Sequence, residues 1–286
     1  MSALVHLAAN TLSNSKAVAL YVQYASTLVG RDKACRFGQY LARLLVYILS
    51  RRLATRGKTP GAGAGVGAGI AWVTALSKTQ AVLSTTRKVM RSGKFVDFAR
   101  QFARILTGAA PSQQREDEVV RTLGAVHKAG MCVFMLADTL GLAHSALGLV
   151  RLRDAPRVAR LGQRAWLAAL AAQAAAALYQ LHNLRLRQAD LDRVRRHITK
   201  TAAGSSSSSD LPASVGAREC AAEERAVAAQ RAAAGRTLLL SALDLTIPIK
   251  GLALVGVNEG LVALAGTVTS LMGIQDSLAK ASAAVQ

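Results

Sequence analysis

The side chains able to do bond chemistry are few and badly placed for it. A helical metal site needs two imidazoles one turn apart with a carboxylate between them. His6, His127, His144, His182 and His197 show no such spacing. Cys35, Cys132 and Cys220 are odd in number and far apart, which fits neither a zinc site, a redox pair nor a disulfide framework. Arg36 beside Cys35 is thin support for a lowered thiol pKa, so Cys35 reads as a buried thiol rather than a nucleophile. The stretch RGKTPGAGAGVGAG, residues 56–69, contains Gly57-Lys58-Thr59. A phosphate loop, however, needs glycine where Arg52 stands and a buried strand before it. It reads as a flexible Gly/Ala linker. No carboxylate pair lies in a recognisable site frame, so the expectation is no enzyme, no metal and no cofactor.

Ionisable groups inside apolar segments are more informative. AGMCVFMLADTLGLAHSALGLV, residues 129–150, is a run of 22 residues bounded by Lys128 and by Arg151 and Arg153. About 20 apolar residues cross a hydrocarbon core of about 30 Å as a helix. Asp138 in its middle costs about 2.5–3.5 kcal/mol on insertion scales and is expected to face other helices rather than lipid. His144 lies in the same run, and the two could form a polar contact between helices. GLALVGVNEGLVALAGTVTSLMG, residues 251–273, is a second run, with Glu259 as its one charge. Its segment GLVALAG, residues 260–266, has the small residues that let another helix approach closely. If Asp138, His144 and Glu259 lined a common path, the assembly would be a pore for small metabolites.

LSTTRKVMRSGKFVDFARQF, residues 83–102, is basic and rich in phenylalanine. At 100° per residue, Val82, Leu83, Val89 and Met90 fall on one side with Trp72, Ala75 and Val96. Arg87, Lys88, Arg91 and Lys94 fall on the other side or at its margins. That division suits a helix lying in the interface of an anionic bilayer, its cations held on headgroups at about 1 kcal/mol each. After Gly93 the phase reverses: Phe95, Phe98, Phe102, Ile105 and Leu106 take the formerly basic side, and Asp97, Arg100, Gln101 and Arg104 take the other. A break at Ser92-Gly93, giving two amphipathic helices, resolves the conflict.

These groups must be positioned by helices, because strand-like alternation recurs nowhere at hairpin spacing. Net charge is +20 and the pI about 11.0, yet mean hydropathy is +0.26. Basicity together with positive hydropathy points to a membrane protein with basic juxtamembrane surfaces. Nucleic acid is not an expected partner, since the phenylalanines sit at core-like spacing instead of forming an exposed stacking platform. MSALVHLAAN carries no secretory signal pattern, so membrane entry by an internal signal is expected.

Along the chain, residues 1–110 form an amphipathic N-terminal region that includes the linker 56–69. Ser13 or Ser15 caps its first helix and Gly30 ends it. Residues 111–200 hold the first span and a basic helical segment. Residues 201–217, containing AAGSSSSSDLPASVG, form a linker by composition, and 218–286 hold a C-terminal helix and the second span. Glu223 or Glu224 is expected to pair with arginines three or four residues along the same helix. AWLAALAAQAAAALYQL, 165–181, reads as a buried or interfacial helix, with a third span as the alternative. The fold class is all-α: a helical membrane protein with amphipathic helices and about two transmembrane or membrane-embedded helices.

Three segments, in order, resemble the peroxin-11 family of peroxisomal membrane-elongation proteins. GRDKACRFGQYLARLL, 30–45, is similar to the family's N-terminal signature through Gly30, Arg31, Asp32, Lys33, Arg36, Gln39 and Tyr40. LSTTRKVMRSGKFVDF, 83–98, resembles its basic segment, and GTVTSLMGIQDSLAK, 266–280, its C-terminal small-residue span. The resemblance implies a peroxisomal membrane protein with both termini cytosolic, forming homo-oligomers on an anionic bilayer. It further implies a curvature-generating amphipathic helix, here the stretch with Arg87, Lys88, Arg91 and Lys94, and recruitment of a dynamin-related fission GTPase through tail-anchored adaptors. The Gly/Ala linker, the Ser-rich insert and the Arg-rich segment 151–200 depart from the family pattern.

Overall fold

A computed structural model of the chain describes residues 15–56, 63–108, 117–204 and 211–285. Among them are eight α-helices and no strand: α1 (Lys16–Ser26), α2 (Leu28–Arg56), α3 (Gly63–Arg91), α4 (Lys94–Thr107), α5 (Glu118–Ser145), α6 (Ala155–Gly204), α7 (Leu211–Gly251) and α8 (Glu259–Val285). The all-α reading stands. Two compact units form. One comprises Met1–Asp97, Cys132–Trp166 and Thr246–Gln286, the other Phe98–Met131 and Leu167–Leu245. They cut across the linear regions read from composition, because long helices contribute different stretches to each.

Helix boundaries follow local chemistry. The chain turns between α1 and α2 at Thr27, not at Gly30. The Thr27 hydroxyl accepts from the Gly30 amide at 3.0 Å while donating to the Tyr24 carbonyl at 2.8 Å. Gly30 therefore lies inside α2. Ser15 occupies the N-cap position of α1 without a side-chain capping bond, and Ser13 lies outside the described residues. α3 starts at Gly63, so the latter part of the stretch read as a linker is helical; Gly57-Lys58-Thr59 lies outside the described residues. Likewise α6 runs to Gly204 and α7 begins at Leu211, and of the Ser-rich stretch 205–210 lies outside the described residues.

The break between α3 and α4 falls at Ser92-Gly93, as the change of phase required. Gly93 has φ +84°, and the Ser92 hydroxyl closes the last turn on the Val89 carbonyl at 2.6 Å. A Cβ on Gly93 would meet nothing within 4 Å, so substitution costs only backbone strain. Gly93→Ala is expected to lower stability by about 1–2 kcal/mol, readable as a fall in the melting temperature of the detergent-solubilised protein.

Among the described residues, three helices are long and apolar enough to cross a membrane: Glu118–Ser145, Arg218–Gly251 and Glu259–Ala284. Both expected spans need new limits. The first ends at Ser145 instead of continuing to residue 150, because the chain turns at Gly148, φ +63°, with the Leu147 amide closing on the Leu142 carbonyl. The second cannot start at residue 251. α7 ends there, three residues beyond Pro248, and the loop to α8 passes through Ala253 at φ +53°. Asn258 then caps α8, its Oδ1 accepting from the Gly260 amide at 2.8 Å. The third candidate lies within α7, whose arginines interrupt its apolar run and which carries Pro248 inside the helix. The stretch 165–181 lies within α6, which is not among the three.

In the first unit α2 packs on α3 and α8, and α1 on α8. A Cβ on Gly260 or Gly266 would enter the ring of Tyr47 or Tyr40, and one on Gly273 would lie 3.0 Å from the Lys33 stem. As α8 advances from Gly260 to Gly273, its partners on α2 run backward from Tyr47 to Lys33. The two helices are therefore antiparallel and close, the role expected of the small residues in GLVALAG.

The second unit has its own core of Leu191, Cys220 and Val227, flanked by Leu184 and Ile198. Glu223 and Glu224 pair across helices, with Arg187 at 2.5 Å and Arg195 at 3.5 Å, rather than with arginines on their own helix. At the head of α5, the Tyr179 hydroxyl, the Val119 amide and the Asn183 side chain donate to Asp117. Led by the Tyr179 bond, they hold its carboxyl below the usual range.

Candidate functional site

The structure turns part of the expected apolar side of α3 outward and its cations inward. Trp72, Val82 and Val89 are 65%, 63% and 53% exposed, whereas Arg87 is 7% exposed. Trp72, Val82 and Val89 look outward, while Arg87, Arg91 and Lys88 look inward. Arg87 Nε donates to Asp32 at 3.2 Å and Nη1 to Gln39 at 2.6 Å. Arg91 Nη2 donates to Asp138 at 2.7 Å, with Lys88 Nζ 3.8 Å from the same carboxylate. The expected array of headgroup-facing cations is thus largely spent on internal ion pairs. The reason is electrostatic: Asp32 on α2 and Asp138 on α5 are half-buried or buried carboxylates that need cationic partners. Leu83 also points inward, packing on Gly38, while Met90 and Lys94 are half-buried.

The signature-like residues of α2 belong to the same core. Asp32 and Gln39 receive Arg87 as above. Arg36 Nη2 donates to Thr269 on α8 at 3.1 Å, and its guanidinium lies 5.7 Å from the centre of the Tyr40 ring, which rests on Gly266. The Lys33 stem covers Gly273, and Arg31 Nη2 reaches the Ser26 carbonyl at 3.3 Å. The motif is the junction of α2 with α3 and α8.

Asp138 faces other helices, as its cost in lipid demands. It makes no contact with His144, whose Nδ1 accepts from the Leu152 amide at 3.2 Å and so braces the turn after α5. Glu259 pairs with Arg43 and, at 2.7 Å, with Lys250. Among the described residues, then, Asp138, His144 and Glu259 do not line one path.

Asp138 and the cations around it line a cavity of about 320 Å³ inside the first unit. Its polar wall is Arg36, Arg43, Arg87, Lys88, Arg91 and Asp138; its apolar wall includes Phe134 stacked on Trp166, ring centres 4.7 Å apart. Phe134 also carries Arg91 above its face at 6.0 Å. Gln163, Phe134 and Trp166 were not singled out in the sequence. Trp166 opens the alanine-rich stretch 165–181, whose regularity gives no sign of a site, and Gln163 stands just before it.

After the break, α4 presents Phe95, Phe98, Phe102 and Ile105 as one half-buried stripe and Asp97, Arg100, Gln101 and Arg104 as an exposed face. No residue of α4 is fully buried. Phe95 accepts from the Cys132 thiol at 3.4 Å through its carbonyl, and Lys128 sits 5.7 Å from the Phe98 ring centre.

No curated protein and no solved structure shows a significant match to the chain. The family model for Peroxisomal biogenesis factor 11 (PEX11) matches residues 18–278. This match takes in most of α1, all of α2–α7 and most of α8, and with them all of the charged core. The chain therefore belongs to the PEX11 family of peroxisomal proteins, biogenesis and proliferation factors rather than a known family of enzymes.

Proposed function

We propose that this protein is integral to the peroxisomal membrane, its termini facing the cytosol, and that it elongates and curves that membrane ahead of fission. The observation that carries the reading is the inverted layout of α3. An apolar face is left outside while charges are gathered inside, the arrangement a helix adopts when its surroundings are hydrocarbon rather than water. The hydroxyls along α3 fit the same surroundings. Thr74, Ser77, Thr79, Thr85 and Thr86 each donate to the carbonyl four residues back, so these hydroxyl protons need no acceptor from outside the helix. In two of the three candidate spans only 11% and 17% of the apolar window is buried, so lipid is the natural cover for the remainder.

In this reading the shallow insertion belongs to α4. Its phenylalanine stripe would enter one leaflet while Arg100 and Arg104 stay among anionic headgroups, expanding that leaflet. Lipid-exposed faces of α3 and α8 would serve homo-oligomers, and a dynamin-related fission GTPase would arrive through tail-anchored adaptors, as the family resemblance implies.

The test uses the full chain reconstituted into liposomes containing phosphatidylserine and into purely phosphatidylcholine ones, viewed by electron microscopy. Tubules are expected on the anionic vesicles only, and Arg100→Glu/Arg104→Glu should abolish them while the protein stays in the membrane after carbonate washing. Round vesicles with the unaltered chain would sink the remodelling role. Ion-selective conductance in planar bilayers without tubulation would put a pore in its place.

A further inference from the structure

The cavity of the first unit is built for something the remodelling role does not use. Five basic side chains, Arg36, Arg43, Arg87, Lys88 and Arg91, share its wall with a single carboxylate, Asp138. Asp32 and Glu259 stand outside the lining and offset part of this charge, Asp32 on Arg87 and Glu259 on Arg43, the latter shared with Lys250, so the wall keeps a net positive balance. Gathering like charges around one void is unfavourable unless an anion joins them, and low-dielectric walls concentrate the field within it. Four of the five cations are arginines, whose planar forks match phosphate oxygens two at a time. On the same wall Gln163 Oε1 is buried without a hydrogen-bond partner. An acceptor in that state calls for a hydroxyl donor. The stacked Phe134–Trp166 pair closes one side with apolar surface. The volume, about 320 Å³, is that of a small-molecule site. Lys88, with its side chain 37% exposed, forms the rim through which a ligand can enter.

We propose that this cavity binds a phosphate monoester, its anionic oxygens held by the arginines and Lys88 and a hydroxyl donated to Gln163 Oε1. The same chemistry could be presented by a lipid headgroup or by a soluble phosphate compound. Remodelling by α4 does not require the site, so the two readings stand or fall separately.

The experiment uses the full-length protein in dodecylmaltoside at fixed ionic strength, with binding read by calorimetry and by thermal shift. Inorganic phosphate and dioctanoyl phosphatidic acid are the probes, and dioctanoylglycerol is the uncharged control. Binding of phosphate with a Kd of about 1 mM or tighter is expected. Lys88→Gln should weaken it about tenfold, the loss of one charge-assisted hydrogen bond, and Asp138 keeps Arg91 in that variant. Lys94→Gln removes the same charge outside the cavity wall and should change nothing. Ser84→Asp places a carboxylate on the wall and should abolish binding. Phosphatidic acid binding about tenfold tighter than inorganic phosphate identifies a lipid source, and equal binding a soluble one. No saturable binding of either probe, or equal losses from Lys88→Gln and Lys94→Gln, overturns the proposal.

Discussion

Replacing Arg87 with methionine should destabilise the detergent-solubilised protein by about 3–5 kcal/mol, the range seen when one partner of a buried ion pair is removed. Both side chains are only 9% exposed, so the Asp32 carboxylate left behind has no water to replace the guanidinium. Gln39 would lose its donor as well. The loss should not measure what the pair contributes. A buried pair is often no better than well-packed apolar residues of similar volume, and most of the cost of a single deletion is the stranded charge. Asp32→Leu alone should therefore cost a similar amount, and Asp32→Leu/Arg87→Met together should recover most of it. Melting curves of the four proteins close a double-mutant cycle. A single-variant loss below about 1 kcal/mol, in the range of exposed pairs, would mean that Arg87 reaches solvent and that the charged core is open.

The same pair shows where sequence reading stops. Spacing alone placed Arg87, Lys88 and Arg91 opposite Val82 and Val89, and a single positive-φ glycine resolved the phase conflict at Gly93. Helical period is a local property, so both were legible. Which face turns inward is not local. It depends on carboxylates 55 residues away in one direction, for Asp32, and 47 in the other, for Asp138. The cost of an unpaired Asp in an apolar run was visible in advance, and it correctly sent Asp138 toward other helices without saying which. Span limits failed for a different reason. A proline is expected at a helix start, yet Pro248 is carried inside α7, which ends three residues later. A hydropathy run cannot distinguish a proline that ends a helix from one whose neighbours absorb the lost hydrogen bond.

The second large effect concerns the contact that the small residues of α8 make possible. Gly266→Leu should separate α2 from α8 and cost about 1–3 kcal/mol, toward the upper end of what overpacking does. A Cβ at that position already enters the Tyr40 ring at its inner atoms, which lie next to the α2 backbone and cannot swing aside as the tip of a long side chain would. Leucine is the better helix former by about 0.8–1 kcal/mol, so a net loss of stability would isolate the packing penalty from helix propensity. Tyr40 is 5% exposed, and the buried hydroxyls of Thr269 and Ser270 continue the same face of α8. Side chains there have little room to rearrange. Shrinking the partner should make room: Tyr40→Ala alone leaves a cavity and destabilises, but in the Gly266→Leu background it should restore stability. That gives a coupling of opposite sign to the single losses, on the order of 0.5–3 kcal/mol. Additive losses in the double variant would show that leucine is accommodated elsewhere and that the close approach of α8 to Tyr40 does not set the packing of the unit. The coupling bears on the charged core too, because Arg36 is held between the Tyr40 ring and Thr269. Spreading α2 from α8 should therefore loosen the cationic wall along with the helices that carry it.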